Sequence, residues 1–185
     1  MAITSYGFIA RVIFIVVLSS SFLSFVSAHG YVIQPASRAS LWRLEIPGSI
    51  VDMDDNQLYC GGFQRQWNFN DGKCGICGDD YSLPQPRPYE NMGARSREIV
   101  VGTYEEGTVL PVTVTITASH KGYFKFHLCK LKGDWDTEDE ECFNKNPLKL
   151  AKRSGYRYYL NSWTPGNYST ILKLPRGLTC DRCVL

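Results

Sequence analysis

Three histidines, His29, His120 and His127, and seven cysteines are the side chains of this 185-residue chain best suited to hold a metal or form covalent links. His29 follows Ser27-Ala28, a position where a leader can be cut. A chain that begins at His29 offers two nitrogens on one residue, the α-amine and the imidazole. The α-amine pKa is roughly 7.7–8.0, so giving up its proton to a metal costs little near neutral pH. A second imidazole would complete a set of three nitrogens, and planar all-nitrogen coordination favours Cu(II). His120 ends an alternating segment just before Gly122, at a predicted sheet rim where loops gather. His127 lies five residues beyond Gly122, roughly 16 Å along an extended strand, too far to share an ion easily with His120. Its face is shared with Lys125, which predicts a solvated surface histidine. Read without its neighbours, His29 is simply the first residue after a cut, and His120 an ordinary strand-end residue. Spacing permits a shared copper site and does not require one.

The cysteines are Cys60, Cys74, Cys77, Cys129, Cys142, Cys180 and Cys183. Cys74-Gly75-Ile76-Cys77 and Cys180-Asp181-Arg182-Cys183 are both C-x-x-C. Two such pairs can form a zinc site, but the gap between them far exceeds ribbon spacing. A redox C-x-x-C calls for a βαβ context that is absent from the pattern. Structural disulfides are the expected state, with Cys129 and Cys142 flanking an acidic loop as one plausible bridge. An odd count leaves one thiol free, bridged to another molecule, or awaiting a partner beyond this sequence. Asn167-Tyr168-Ser169 is an N-glycosylation sequon beside a turn.

The elements that must position these groups begin after residue 28. Arg11 is the only charged side chain before Arg38, and the apolar run Val12–Leu18 follows it. The run is too short to span a membrane, which takes about 20 apolar residues. Residues 1–28 therefore read as a secretory signal peptide, and 29–185 as one secreted, extracellular domain. Without Arg11 the basic and acidic side chains nearly balance, which argues against nucleic acid or an anionic membrane as partner. A neutral partner and a monomer fit better.

Residues 29–97 are rich in Gly, Pro, Asn and Asp and read as long loops, with a short helix near 41–44 or 54–58. Strand signals begin at Ile99-Val100-Val101. Glu106-Gly107 marks a turn. Val112 to Ala118 alternates apolar residues with Thr, the pattern of a half-buried strand. Phe124, Phe126 and Leu128 share one face of the next segment. Residues 157–160 and 170–174 read as two more strands, separated by Pro165-Gly166. The pattern predicts an antiparallel β-sandwich decorated at one end by disulfide-pinned loops.

Several strings in this order are more specific than any one alone. They are His29-Gly30, PASRASLW (35–42), NQLYCGGF (56–63), GKCGICGD (72–79), Arg87-Pro88, SHKGYFKF (119–126), Glu141-Cys142-Phe143, Arg157-Tyr158-Tyr159-Leu160 and Leu174-Pro175. Together they resemble the lytic polysaccharide monooxygenases of auxiliary activity family 15, found in invertebrates. The resemblance implies an immunoglobulin- or fibronectin III-like sandwich. It implies one copper ion per chain, held at a catalytic and metal-binding pair of His29 (α-amine and ring) and His120 (ring). It implies oxidative cleavage of an insoluble polysaccharide, chitin or cellulose, with an external electron donor and O2 or H2O2. It also implies a further strand, past the segment resembling Leu174–Leu185, that brings an axial aromatic residue and more cysteines. The sequence stops at Leu185, so the expectation is a C-terminally shortened catalytic domain with no axial residue to name. A non-catalytic secreted copper- or chitin-binding protein is the second expectation, and a structural disulfide-rich protein without metal the third. Trp42, Tyr59 and Tyr123 are open between the substrate face and the core.

Overall fold

The structure, a computed structural model, describes residues 29–185. The expected signal peptide, residues 1–28, lies outside the described residues. Among the described residues eight strands run in chain order: β1 His29–Gln34, β2 Val109–Ala118, β3 Gly122–Phe124, β4 Cys129–Lys130, β5 Lys149–Leu150, β6 Tyr158–Leu160, β7 Gly166–Lys173 and β8 Cys183–Val184. One short helix, α1, spans Glu140–Lys145. The Asp139 side chain accepts from the Cys142 amide and caps it, with Glu140 and Glu141 in the positive first turn.

The alternation in β2 determines the layering. Leu110, Val112 and Val114 are buried, while Thr113, Thr115 and Thr117 point outward. A four-stranded antiparallel sheet forms in the order β1-β2-β7-β5. Its inner face meets Phe126 and Leu128, with Phe124 and Tyr158 from the β3–β6 pair packed alongside. The β4–β8 pair is a separate two-stranded sheet, and its Cys183 packs against the same core. Val112 and Leu172, both 0 % exposed, lie at the centre of the core. Every strand pairing is antiparallel, and the whole is a β-sandwich.

Residues 29–97 depart from the loop reading in one consequential way. β1 is a real strand on the edge of the main sheet. The predicted short helix is a 3-10 turn at Leu41–Leu44, whereas 54–58 holds only turns. Ile99-Val100-Val101 is not a strand. The segment runs along a cleft of about 1150 Å³ beside Val114, Phe126 and Leu174, with no strand alongside it to take its backbone hydrogen bonds.

Disulfides join Cys60 to Cys74, Cys129 to Cys142 and Cys180 to Cys183. The two C-x-x-C motifs therefore differ: the second closes on itself, and the first sends Cys74 out to Cys60. Cys77 stays a thiol. With Cys74, Cys180 and Cys183 oxidised, the zinc alternative keeps one thiol of its four. Among the described residues no cluster of three or more His, Cys, Asp or Glu could hold an ion.

Candidate metal centre

The β1–β2 register brings two of the three histidines to one rim. His29 pairs with Ala118, and His120 lies two residues further, about 7 Å along an extended chain. A bulge falls between His29 and Gly30, where β2 carries the extra residue: their partners are Ala118 and Ile116, and Thr117 between them is left over. Bulges re-aim the side chain beside them. Gly30 permits the approach: a Cβ built there would sit 2.8 Å from the Thr115 carbonyl oxygen and 2.7 Å from Ile116 Cδ1. The Gly30 amide donates to the Asn56 carbonyl at 3.1 Å, so the loop behind β1 also holds it. That loop is anchored in turn. Arg43 bonds Asp55 through Nε and Nη2, at 2.5 and 2.8 Å, and its guanidinium lies over the Tyr31 ring at 4.4 Å.

His29 is half-buried. Its Nδ1 is buried and has no hydrogen-bond partner among the described residues. A buried nitrogen without a partner is costly unless something coordinates it. Nδ1 is also the ring nitrogen that can close a six-membered chelate with the α-amine of the same residue. The donor chemistry therefore fits a metal ion at this end of β1. The Tyr59 ring stands edge-on to the His29 ring at 5.7 Å.

His120 is held by what flanks it. Ser119 is buried and donates its hydroxyl to the Ser162 carbonyl at 2.8 Å. Beyond His120 the chain turns sharply through Lys121 (φ 62°) and Gly122 (φ 107°). The second value lies in a region that glycine enters without strain. The Trp163 ring packs edge-on to His120 at 6.0 Å, and Lys121 Nζ lies 5.0 Å from the same ring.

His127 stands apart, and its environment corrects the expectation of a solvated residue. It is half-buried, and its Nδ1 lies 3.0 Å from the Phe143 carbonyl. A carbonyl only accepts, so Nδ1 carries the proton and donates. Helix α1, which contributes Phe143, covers a face that strand alternation alone assigns to solvent.

Exposed aromatic side chains also line the Cys60–Cys74 loop, which follows Tyr59 in the chain. Phe63, Trp67 and Phe69 are 71 %, 55 % and 70 % exposed. Residues Arg65–Phe69 form a single π-type turn. Gly72 lies against the Trp67 ring so closely that a Cβ there would meet Cζ3 at 2.8 Å. The Arg65–Asp80 pair at 2.7 Å ties the turn down. Sequence reading missed this surface and Trp163, although aromatic residues in a segment rich in Asn and Gln were a usable signal. Of the three aromatic residues left open, Tyr59 faces the rim. Trp42 is half-buried and bonds Asp55, and Tyr123 is exposed beside Tyr159 on the β3–β6 pair. Asn167 is exposed on β7.

The loops rest on buried ion pairs. Arg38 bonds Glu138, whose side chain is fully buried, and Arg87 bonds Glu90 at 2.6 Å. Burial pushes the Glu138 carboxyl up, but the hydrogen bond and charge of Arg38 outweigh it and hold the carboxyl below its ordinary value. The Cys77 thiol donates to Glu138 at 3.2 Å. Burial raises the Cys77 pKa well above the usual thiol range, and the neighbouring carboxylate raises it further.

An edge strand that starts at a half-buried histidine, with a second histidine just past the end of its partner strand, gives a β-sandwich with two imidazoles at one rim. Residues 29–185 match the family described as lytic polysaccharide mono-oxygenase, cellulose-degrading. Among solved structures, the chain is similar to the AA15 lytic polysaccharide monooxygenase of Thermobia domestica in the Cu(I) state. The two are 41 % identical with a TM-score of 0.81, over 84 % of this chain and 79 % of that one. No curated protein matches. The chain belongs to the lytic polysaccharide monooxygenases, of auxiliary activity family 15.

Proposed function

We propose that this chain, as a copper-dependent monooxygenase, holds one copper ion through the α-amine and Nδ1 of His29 and the ring of His120, and oxidatively cleaves a solid neutral polysaccharide, chitin or cellulose. The observation that carries the metal assignment is the buried, unpartnered His29 Nδ1 beside a strand register that sets His120 at the same rim. The assignment requires His29 to be the first residue of the mature protein, hence removal of residues 1–28 during secretion. Three disulfides fit the oxidising compartment this entails.

Copper, when bound, would supply one-electron chemistry toward O2 or H2O2, with electrons from an external donor. The protein's own part is positional. β1, pinned at Gly30 and Tyr31, fixes the chelating residue. Buried Ser119 and the Lys121-Gly122 turn fix His120. The exposed rim leaves room for a surface rather than a threaded chain, and the aromatic rings around it can lie against the apolar faces of sugar rings.

The test uses mature protein with a free His29 amine. One Cu(II) per chain with a type 2 electron paramagnetic resonance spectrum is expected, as is reductant-dependent release of oxidised oligosaccharides from chitin or cellulose. One extra residue before His29, or His120→Ala, should abolish tight binding, while His127→Ala should not. Equal copper affinity in the extended protein would sink the assignment. Copper binding without oxidised products would leave a binding protein instead.

A further inference from the structure

We propose that Asn167 carries an N-linked glycan that shields the open outer edge of the four-stranded sheet. The proposal shares only secretion with the function above, and does not depend on copper.

Asn167-Tyr168-Ser169 is the single sequon in the chain. It falls at the start of β7, where strand alternation sorts its three side chains. Tyr168 turns the other way and is half-buried, its hydroxyl donating to the Thr164 carbonyl at 2.5 Å. Asn167 and Ser169 point to solvent opposite Thr115 and Thr113. The Thr115 hydroxyl donates to Asn167 Oδ1 at 2.8 Å, and the Ser169 and Thr113 hydroxyls pair at 2.9 Å. Oδ1 is thus turned toward β2. Nδ2, the atom that takes the sugar, has no partner among the described residues, and a glycan on it leaves the Thr115 bond intact.

The edge explains why a glycan belongs there. β2 pairs with β7 from Gly166 to Lys173 on one side. On the other side β5 reaches only Leu172 and Lys173. The Ala151 amide donates to the Ile171 carbonyl, and among the described residues no strand lies beside Gly166–Thr170. Open strand edges template pairing with another chain and are commonly blunted by Lys, Pro or a covering segment. Gly166 to Ile171 contains no charged residue and no proline, and Tyr, Thr and Ile among them favour strands. A bulky hydrated oligosaccharide on the second residue of this stretch blocks a docking strand sterically.

The transfer uses a lipid-linked pyrophosphate oligosaccharide as donor. A bond forms between Asn167 Nδ2 and the anomeric carbon of the first sugar. The bond from that carbon to the pyrophosphate oxygen breaks, the lipid pyrophosphate leaves with the electron pair, and Nδ2 loses one proton.

The experiment is secretion of the full chain from a eukaryotic host, followed by intact mass measurement with and without peptide-N-glycosidase. The wild type and Ser169→Thr should lose an oligosaccharide mass on treatment. Asn167→Gln and Ser169→Ala should show no change. Light scattering over a concentration series should find the glycosylated protein monomeric, and the enzymatically deglycosylated wild type shifted to dimers or larger species. Deglycosylated wild type serves here even if the variants are not secreted. Secreted wild type without sugar overturns the site, and deglycosylated protein that stays monomeric overturns the edge role. Copper stoichiometry read on the same samples should be equal in both forms. Loss of copper from both would count against His29 and His120 and leave the glycan standing.

Discussion

Replacing Gly30 by alanine tests whether strand register, rather than the histidines alone, builds the proposed copper site. The added Cβ would sit 2.7 Å from Ile116 Cδ1 and 2.8 Å from the Thr115 oxygen. The first contact is with the end of a flexible side chain, which can rotate away. The second is with backbone inside the β1–β2 ladder. An ordinary contact there needs 3.4 Å or more, so β1 must lift by roughly 0.6 Å, one residue from His29. Overpacking of this kind costs about 1–3 kcal/mol. For a domain of this size each kcal/mol lowers Tm by about 2–4 °C. Disturbing the groups that orient a ligand typically weakens metal binding about 10–100-fold. Cu(II) titration calorimetry and thermal unfolding of the apo-protein read the two effects separately. Gly133→Ala, where an added Cβ meets nothing within 4 Å, is the control expected to change neither. Wild-type copper affinity in Gly30→Ala, with a lowered Tm, would refute the claim that the close β1–β2 approach positions His29.

Trp67→Ala and Phe63→Ala should each weaken adsorption to solid chitin or cellulose by about threefold to tenfold, the equivalent of one lost stacking contact, with copper affinity unchanged. Binding isotherms on washed solids check this, and unaltered adsorption would remove the loop from the substrate face. Glu138, held below its ordinary value by Arg38, contributes stability that is fully present above about pH 4.3 and lost as pH falls through its lower folded value. Denaturant unfolding between pH 2 and 6 should therefore show a shallower acid loss in Glu138→Gln than in wild type. Arg38→Ala should cost about 3–5 kcal/mol at neutral pH, because a buried carboxylate loses its partner. The Cys77 thiol, kept protonated by burial and by Glu138, should resist alkylation at pH 8 in the folded protein and react once unfolded. Rapid labelling of folded protein would contradict that environment.

What could be read from the sequence tracks the contrast between one face of an element and the other. β2 was legible because its inner residues reach the core while its threonines face solvent, so chemistry alternates as burial does. β1 was not, because five of its six residues are half-buried and neither face differs from the other. Ile99-Val100-Val101 shows the opposite failure, with strand-like composition and no partner strand. Cys74 has two cysteines within reach by spacing, and only folding of the Cys60–Cys74 loop decides between them. The exposed aromatic rings on that loop are held by a disulfide, a π-type turn and Gly72, none of which leaves a periodic trace.

His120 illustrates the limit most clearly. Local pattern sets it at a rim and His127 on a face shared with Lys125, but alternation alone cannot say that the rim residue lies on the side of His29. That depends on the pairing of His29 with Ala118 across a bulge, and so on a strand the sequence pattern did not reveal. The family resemblance supplied His120 as a whole motif, without a physical reason. The structure offers local ones: a glycine thin enough for β1 to close on Thr115, an Asn56 carbonyl to hold its amide, and a turn through Lys121 and Gly122 just after His120, which lies two residues past the end of β2. A related chain could keep both histidines yet lose the centre by filling Gly30. On the proposed assignment, the glycine is therefore as much a part of the site as the imidazole beside it.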